Sequence, residues 1–432
     1  MLDVFATIKT LEKDMIACRR DLHQHPEAGW TEFRTASFVA EQLTKLGFEV
    51  YTGEQVVVES ERMGVPSEEV LAACRQRALS EGAKQYWVDK MAGGKTGVVG
   101  VMHFPKPGKI VAFRVDMDCN EVEETADPQH LPNKEKFASQ HAGLMHACGH
   151  DGHTTIGLTL ARFISQHKDS FAGTIKIIFQ CAEEGVRGAK AMVASGIVDD
   201  VDYLFGLHIT KELSEVNSII CMAEGQLATS KIDAYFQGVP IHPAKPEKGK
   251  NAVLAAAQAI VSLNTIARHS QGPSFINVGV IQGGTSRNVV PGNAKIQLET
   301  RGSTSEINDF LEKEARRIIN ASAQLYDVKV AMQAMGSAPA GVLDAGLGAD
   351  IYRLFTSSKQ FSKVILKGSQ NGSEDCTYFM GRVQKRGGRA VYLKAGTSIA
   401  AGNHTSKFDF GESVLVPAAT AFSLLALHYT NL

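Results

Sequence analysis

Thr174-Ile175-Lys176-Ile177-Ile178-Phe179-Gln180-Cys181-Ala182-Glu183-Glu184 carries an apolar stretch directly into a pair of acids. Ile175, Ile177, Ile178 and Phe179 make residues 174–180 a mostly apolar strand. The same grammar recurs on both sides of it. Residues 96–103 and 109–115 read as strands, the second leading into Arg114-Val115-Asp116-Met117-Asp118, and residues 201–208 as another that ends in His208. Between them, residues 153–168 place Ile156, Leu160, Phe163 and Ile164 on one helical side, and Glu183 opens a helix through Ala194 that Gly196 stops. Strands separated by helices, with polar residues at the strands' C-terminal ends, predict an open α/β sheet that holds its ligand along that edge.

Toward the N-terminus, residues 1–50 read as helix, turn, helix, and residues 59–92 as a mostly helical excursion opened by Pro66. Toward the C-terminus the character changes near residue 228. Residues 229–236 alternate as a half-buried strand, 251–267 form an alanine-rich helix, 275–281 and 289–300 are strands, 305–325 a helix and 328–335 a strand. That order, β-α-β-β-α-β, is the split βαβ unit. Residues 345–432 return to the first pattern, with a helix near 345–358, a strand at 391–395 and a final helix from about Val414. The economical architecture is a catalytic domain in two segments, 1–227 and 343–432, with a small domain, 228–342, inserted at a loop.

A chain of 432 residues suits two such domains. With 45 Lys+Arg against 46 Asp+Glu, the net charge of −1 gives no reason to expect nucleic acid or an anionic membrane as the main partner. No apolar run is expected to span a membrane. The opening residues carry acidic Asp3 and no basic n-region, so they read as an amphipathic helix and not a secretory signal. The seven cysteines are odd in number and contain no CxxC pair, which sets the reducing cytoplasm as the expected compartment.

The densest polar segment is His141 to His153, HAGLMHACGHDGH. Cys148 and His150, one residue apart, reach a common ion from extended backbone, and Gly149 and Gly152 flank them as in a tight binding loop. A thiolate beside an imidazole favours zinc, with manganese, cobalt or nickel also admitted. In Glu183-Glu184 one carboxylate can bind metal while the other takes a proton from water; the pair equally suits a first helical turn, where the dipole favours acids. His208 at a strand end and His404 in Gly402-Asn403-His404-Thr405 read either as ligands or as hydrogen-bonded loop histidines. All these elements fall on the same sheet edge, and five ligands of types S, N, O, N and N hold two metals if one bridges. Asp116 would orient a ligand histidine or cap the next helix, Asp151 would fix the tautomer of His150, and Cys119 reads as core.

These residues lie in segments that resemble the M20 metallopeptidases, and within them the amidohydrolase branch that cleaves N-acyl amino acids. The matching segments are residues 19–23, 30–36, 113–118, 145–153, 179–185, 283–291 and 401–410. The resemblance implies an α/β fold of two domains: a zinc-peptidase-like mixed-sheet catalytic domain and an inserted ferredoxin-like α+β lid and dimerisation domain. It implies that Cys148, His150, Glu184, His208 and His404 hold two divalent metal ions, Zn or Mn, and that Glu183 is the general base. It further implies that His242 reaches a scissile carbonyl across a dimer and that Asn288 and Arg301 bind substrate. The expected chemistry is amide hydrolysis of N-acyl or N-aroyl amino acids, an aminobenzoyl-glutamate-like compound first among them. An aminoacylase or dipeptidase of other range is the alternative, and the expected partner is a second copy or a related subunit. Two departures stand out. The lid histidine sits in Ile241-His242-Pro243 where the family has Ala-His-Ala, and Pro243 removes a backbone donor and holds His242 extended. Cys181 stands where the family has Pro, with its side chain expected to face the core.

Overall fold

The computed structural model describes residues 3–370 and 372–432, which divide into two compact units. The first holds residues up to 224, 342–370 and 378–432; the second holds 225–341 and 372–377.

The first unit is built on an eight-stranded mixed sheet in the order Glu49–Thr52, Val98–His103, Thr174–Gln180, Ile110–Asp116, Tyr203–Thr210, Arg389–Gly396, Ser218–Ile220, Lys363–Ile365. The strands Thr174–Gln180, Ile110–Asp116, Tyr203–Thr210 and Arg389–Gly396 run parallel to one another. Antiparallel partners border them, Val98–His103 on one side and Ser218–Ile220 on the other. Every residue of Thr174–Gln180 is buried, as a central strand covered on both faces requires. Burying a side chain such as Phe179 or Ile177 contributes roughly 1.5–3 kcal/mol each.

Helix His150–Gln166 packs on strand Ile110–Asp116, with helices Glu12–Gln24 and Leu415–Thr430 against it. The approach is close at Gly157, where an added Cβ would lie 2.8 Å from both Phe179 and Val115. The segment Glu412–Thr430 is long and apolar enough to cross a membrane, contrary to the expectation of no such run, but 78% of it is buried inside the protein. Length and apolarity are the same for a core helix and a membrane span, so burial decides here.

The expected helix from Glu183 to Ala194 is shorter: it covers Ala189–Val193. The residues before it form a turn with Ala182, Gly185 and Val186 at φ of 50°, 83° and 58°. Left-handed backbone at these positions cannot continue a right-handed helix.

The second unit is a four-stranded antiparallel sheet in the order Lys329–Ala338, Ala228–Gln237, Asn293–Gly302, Ser274–Gly283, with helices Ala252–Leu263 and Ser305–Leu325. The two helices share its core with Ile232, Ala234, Phe236, Ile296 and Leu298, the alternate residues of two adjacent strands. This is the β-α-β-β-α-β unit read from the sequence.

Candidate active site and metal centre

The site of the first unit forms where the parallel strands end. Ile110–Asp116 runs on to Asp118, Thr174–Gln180 runs on to Glu183 and Glu184, and Tyr203–Thr210 carries His208. His404 lies beyond Arg389–Gly396 and is tied down by its N–H, which donates to the Ala147 carbonyl at 2.8 Å. Helix His150–Gln166 begins in the same place; its N-cap, Gly149, has φ 91°, where a side chain is strained.

Three sets of side chains each present ligand atoms within 4.8 Å of one another: Cys148, His150 and His208; Cys148, Glu184 and His404; His150, Glu183 and Glu184. Cys148 Sγ is 3.4 Å from His208 Nε2, and His404 Nε2 is 3.4 Å from Glu184 Oε1. His150 Nε2 lies 3.8 Å from Glu183 Oε2 and 3.9 Å from Glu184 Oε1. The backbone sets the tautomers. His150 Nδ1 donates to the Asp118 carbonyl at 2.8 Å and His208 Nδ1 to the Ile209 carbonyl at 2.6 Å, so both rings offer an Nε2 lone pair to the centre.

Among the described residues, His150 Nε2 and Glu184 Oε1 are buried with no hydrogen-bond partner. An orphaned imidazole nitrogen facing an orphaned carboxylate oxygen is costly unless a cation lies between them. A thiolate, imidazoles and a carboxylate form a donor set for zinc and its neighbours, so the residues fit divalent ions. A further set, Asp116, His150 and His153, differs. His153 Nδ1 donates to Asp116 at 2.7 Å and its Nε2 accepts the Ile209 N–H at 3.0 Å, so both of its nitrogens are used within the framework.

The electrostatics point the same way. Burial and Glu184 push the Cys148 thiol up, but His208 and His150 outweigh them and draw it down to about 5. Burial likewise raises Glu184, and His404 and His150 bring it to about 2. The neighbouring Cys148 and Glu184, both negative when ionised, lift His404 to about 10. Thiolate, carboxylate and imidazolium hold one another charged, which is how a centre built for cations responds when histidine protons supply the positive charge.

The turn that presents both acids is held from below. Asp118, with no solvent exposure, accepts the Glu183 N–H at 3.0 Å on Oδ1 and the Glu184 N–H at 2.9 Å on Oδ2. Its carbonyl also fixes His150, so Asp118 aligns three of the converging residues. Asp151 does not orient His150. It receives Arg19 Nε at 2.8 Å, His23 Nδ1 at 2.8 Å and the Gly152 N–H, because the first helical turn points its side chain away from the centre. Asp116 lies 3.8 Å from His150 Nε2 and bonds His153. Cys181 is fully buried, and burial pushes its thiol far up.

The remaining expected residues belong to the second unit. His242 is exposed in a turn whose Ala244 N–H donates to His242 Nδ1 at 3.1 Å, and the Lys245 N–H donates to the His242 carbonyl at 2.9 Å. Asn288 is exposed and accepts the Ser286 hydroxyl. Arg301 is half-buried, and its guanidinium donates to both oxygens of Glu299 at 3.1 Å. Sequence reading gives Asp118 no task and passes over Glu32 and Arg19. The signal for Asp118 is its place two residues past the end of a strand, on the edge where the candidate ligands gather.

The sequence profile of Peptidase family M20/M25/M40 matches residues 112–428. The chain is 45% identical to indole-3-acetyl-aspartic acid hydrolase of Enterobacter agglomerans, over 98% of this chain and 97% of that one. It is 44% identical to one of the subunits of p-aminobenzoyl-glutamate hydrolase of Escherichia coli, again over 98% and 97%. The crystal structure of an aminobenzoyl-glutamate utilization protein from Klebsiella pneumoniae superposes with a TM-score of 0.85 at 38% identity, covering 99% of each chain.

Proposed function

The chain belongs to peptidase family M20/M25/M40, and from that premise we propose that it is a metal-dependent amidohydrolase of N-acyl and N-aroyl amino acids. The observation that carries the reading is the convergence of Cys148, His150, Glu184, His208 and His404 around the orphaned His150 Nε2 and Glu184 Oε1, with Glu183 beside them. Those five side chains would hold two divalent ions. Bound there, the ions supply Lewis acidity toward the amide carbonyl and lower the pKa of water.

The chain's own part is positional and protonic. Glu183, largely buried, takes a proton from the attacking water and returns it to the leaving amine. His242 of a second copy or a related subunit would add a donor to the developing oxyanion. Asn288 and Arg301 would receive the carboxylate of the amino-acid half, the guanidinium exchanging Glu299 for substrate. We assign 1–227 and 343–432 to catalysis and 228–342 to lid and dimerisation on the same family resemblance.

Two relatives favour the substrate class. Their names pair an aromatic acyl group with an acidic amino acid, aspartate in one and glutamate in the other. An aminobenzoyl-glutamate-like conjugate is therefore the first choice and an indolylacetyl-aspartate the second. The second of these relatives is one subunit of its hydrolase, which supports a related partner chain in place of a second copy. Seven unpaired cysteines support a cytoplasmic setting. The test is a panel of aroyl-glutamates, acyl-aspartates and matched amides without the free carboxylate, given to the metal-loaded chain by itself and with a related subunit. Preferential cleavage of the acidic conjugates supports the reading, and equal cleavage of carboxyl-free amides contradicts it.

A further inference from the structure

Glu32 has no solvent exposure and stands just before helix Phe33–Lys45, far in sequence from every proposed ligand. Both of its carboxylate oxygens are engaged. Oε1 accepts the Ala182 N–H at 2.6 Å, and Oε2 accepts the Thr96 hydroxyl at 2.5 Å.

Ala182 is the left-handed residue that opens the turn bearing the two acids, at φ 50°. An alanine resists that conformation, which glycine adopts freely. The turn then closes on itself: the Val186 N–H donates to the Glu183 carbonyl at 2.7 Å and the Gly188 N–H to the Ala182 carbonyl at 2.8 Å. Asp118 holds the next two amides, as described above. Two buried acidic side chains, Glu32 and Asp118, therefore grip three consecutive N–H groups, those of residues 182, 183 and 184.

We infer that Glu32 is a positioning residue of the hydrolytic site: through the Ala182 N–H it holds the left-handed turn that aims Glu183 at substrate and Glu184 at the metals. The inference rests on the proposed hydrolase activity, with Thr96 acting as the brace that fixes the Glu32 side chain. Misplacing a catalytic group by about an ångström costs on the order of 10²-fold in rate, so the effect falls on kcat. Contacts to the substrate's amino-acid half are untouched, so KM stays near its original value.

Three variants separate positioning from general stability. Glu32→Gln keeps an oxygen for the Ala182 N–H, and its amide can donate to Thr96, whose hydroxyl already lies 3.5 Å from the Gly94 carbonyl. Glu32→Leu removes both bonds. Ala182→Gly in the Glu32→Leu background removes the backbone resistance that Glu32 opposes. For Glu32→Leu, kcat is expected to fall about 10²-fold with KM within about twofold. Glu32→Gln should stay near wild type, and Ala182→Gly should restore part of the Glu32→Leu loss. Zinc affinity, measured by competition with a chromophoric chelator and no substrate, should fall in Glu32→Leu and hold in Glu32→Gln. If the wild type cleaves no conjugate, the hydrolase reading fails and the zinc competition alone decides the role of Glu32. Equal losses in Glu32→Gln and Glu32→Leu, or wild-type kcat and zinc affinity in Glu32→Leu, overturn the inference. Should Glu32→Leu fail to fold, Thr96→Val loosens the same side chain more gently: a lowered kcat at constant KM supports the role, and an unchanged kcat overturns it.

Discussion

Replacing Arg19 by Met tests how the start of helix His150–Gln166 is anchored. Arg19 has no exposed surface and its guanidinium meets three carboxylates: Asp151 at 2.8 Å, Asp409 at 2.6 Å and Glu412 at 3.4 Å. Its planar group also lies 4.5 Å above the Phe410 ring and 4.9 Å above that of Phe137. Methionine fills much of the volume but leaves two buried acids, Asp151 and Asp409, without their cation. Removing one partner of a buried ion pair costs about 3–5 kcal/mol. Partial compensation remains, because Asp151 keeps His23 and the Gly152 N–H, and Glu412 keeps Arg20 at 2.8 Å. A loss of about 3 kcal/mol, at the lower end of that range, is therefore expected, with a fall in Tm of roughly 5 °C for a unit of this size. Urea unfolding of chelator-treated protein, followed by tryptophan fluorescence, reads the first unit alone, since both tryptophans, Trp30 and Trp87, lie in it. Adding Asp409→Asn to Arg19→Met should recover part of the loss by removing one uncompensated charge. A loss under about 1 kcal/mol would refute the reasoning, because that is what an exposed pair contributes.

Other outcomes follow from the same geometry. Elemental analysis of protein purified without chelator should find about two divalent ions per chain, and His150→Ala should remove at least one; unchanged content after the replacement contradicts the ligand assignment. Gly157→Ala places a methyl group 2.8 Å from Phe179 and Val115, and overpacking of that kind should destabilise by about 1–3 kcal/mol in the same unfolding assay. Burial and the neighbouring Asp118 lift the Glu32 carboxyl to about 8. The folded state thus holds that proton more tightly than the unfolded state, so the contribution of Glu32 is intact below its ordinary value and is lost as pH rises toward 8. Metal-free Glu32→Gln should gain stability over wild type as pH goes from about 5 to 8, and a pH-independent difference would contradict the buried setting of Glu32.

Much of the architecture was legible because strong periodicity and strand-end chemistry agree. Residues 174–180 are a short, mostly apolar run and 305–325 a longer stretch of helical character, and the structure places a strand and a helix at those bounds. The short strands Ser218–Ile220 and Lys363–Ile365 escaped because three residues carry no period. The turn after Gln180 escaped because its left-handed residues include Ala182 and Val186, types that favour right-handed helix or strand. Tertiary bonds from Glu32 and Asp118 impose that turn, and local propensity cannot report them. The same holds for Asp151. Its place beside His150 in sequence suggested a bond between them, whereas the helical turn sends it to Arg19 and His23, more than a hundred residues away. Cys148, His150, Glu183, Glu184, His208 and His404 could be gathered in advance because parallel strands bring their C-terminal ends to one edge.

The most direct measurement of the central claim is turnover of an aminobenzoyl-glutamate conjugate by metal-loaded wild type and Glu183→Gln, with metal content determined on the same samples. Equal metal content and a kcat lowered by about 10²–10⁴-fold in Glu183→Gln are the predicted result, since the amide fills the same space and cannot accept the proton. A loss of only a few-fold with metal retained would contradict the account and move the base to another residue.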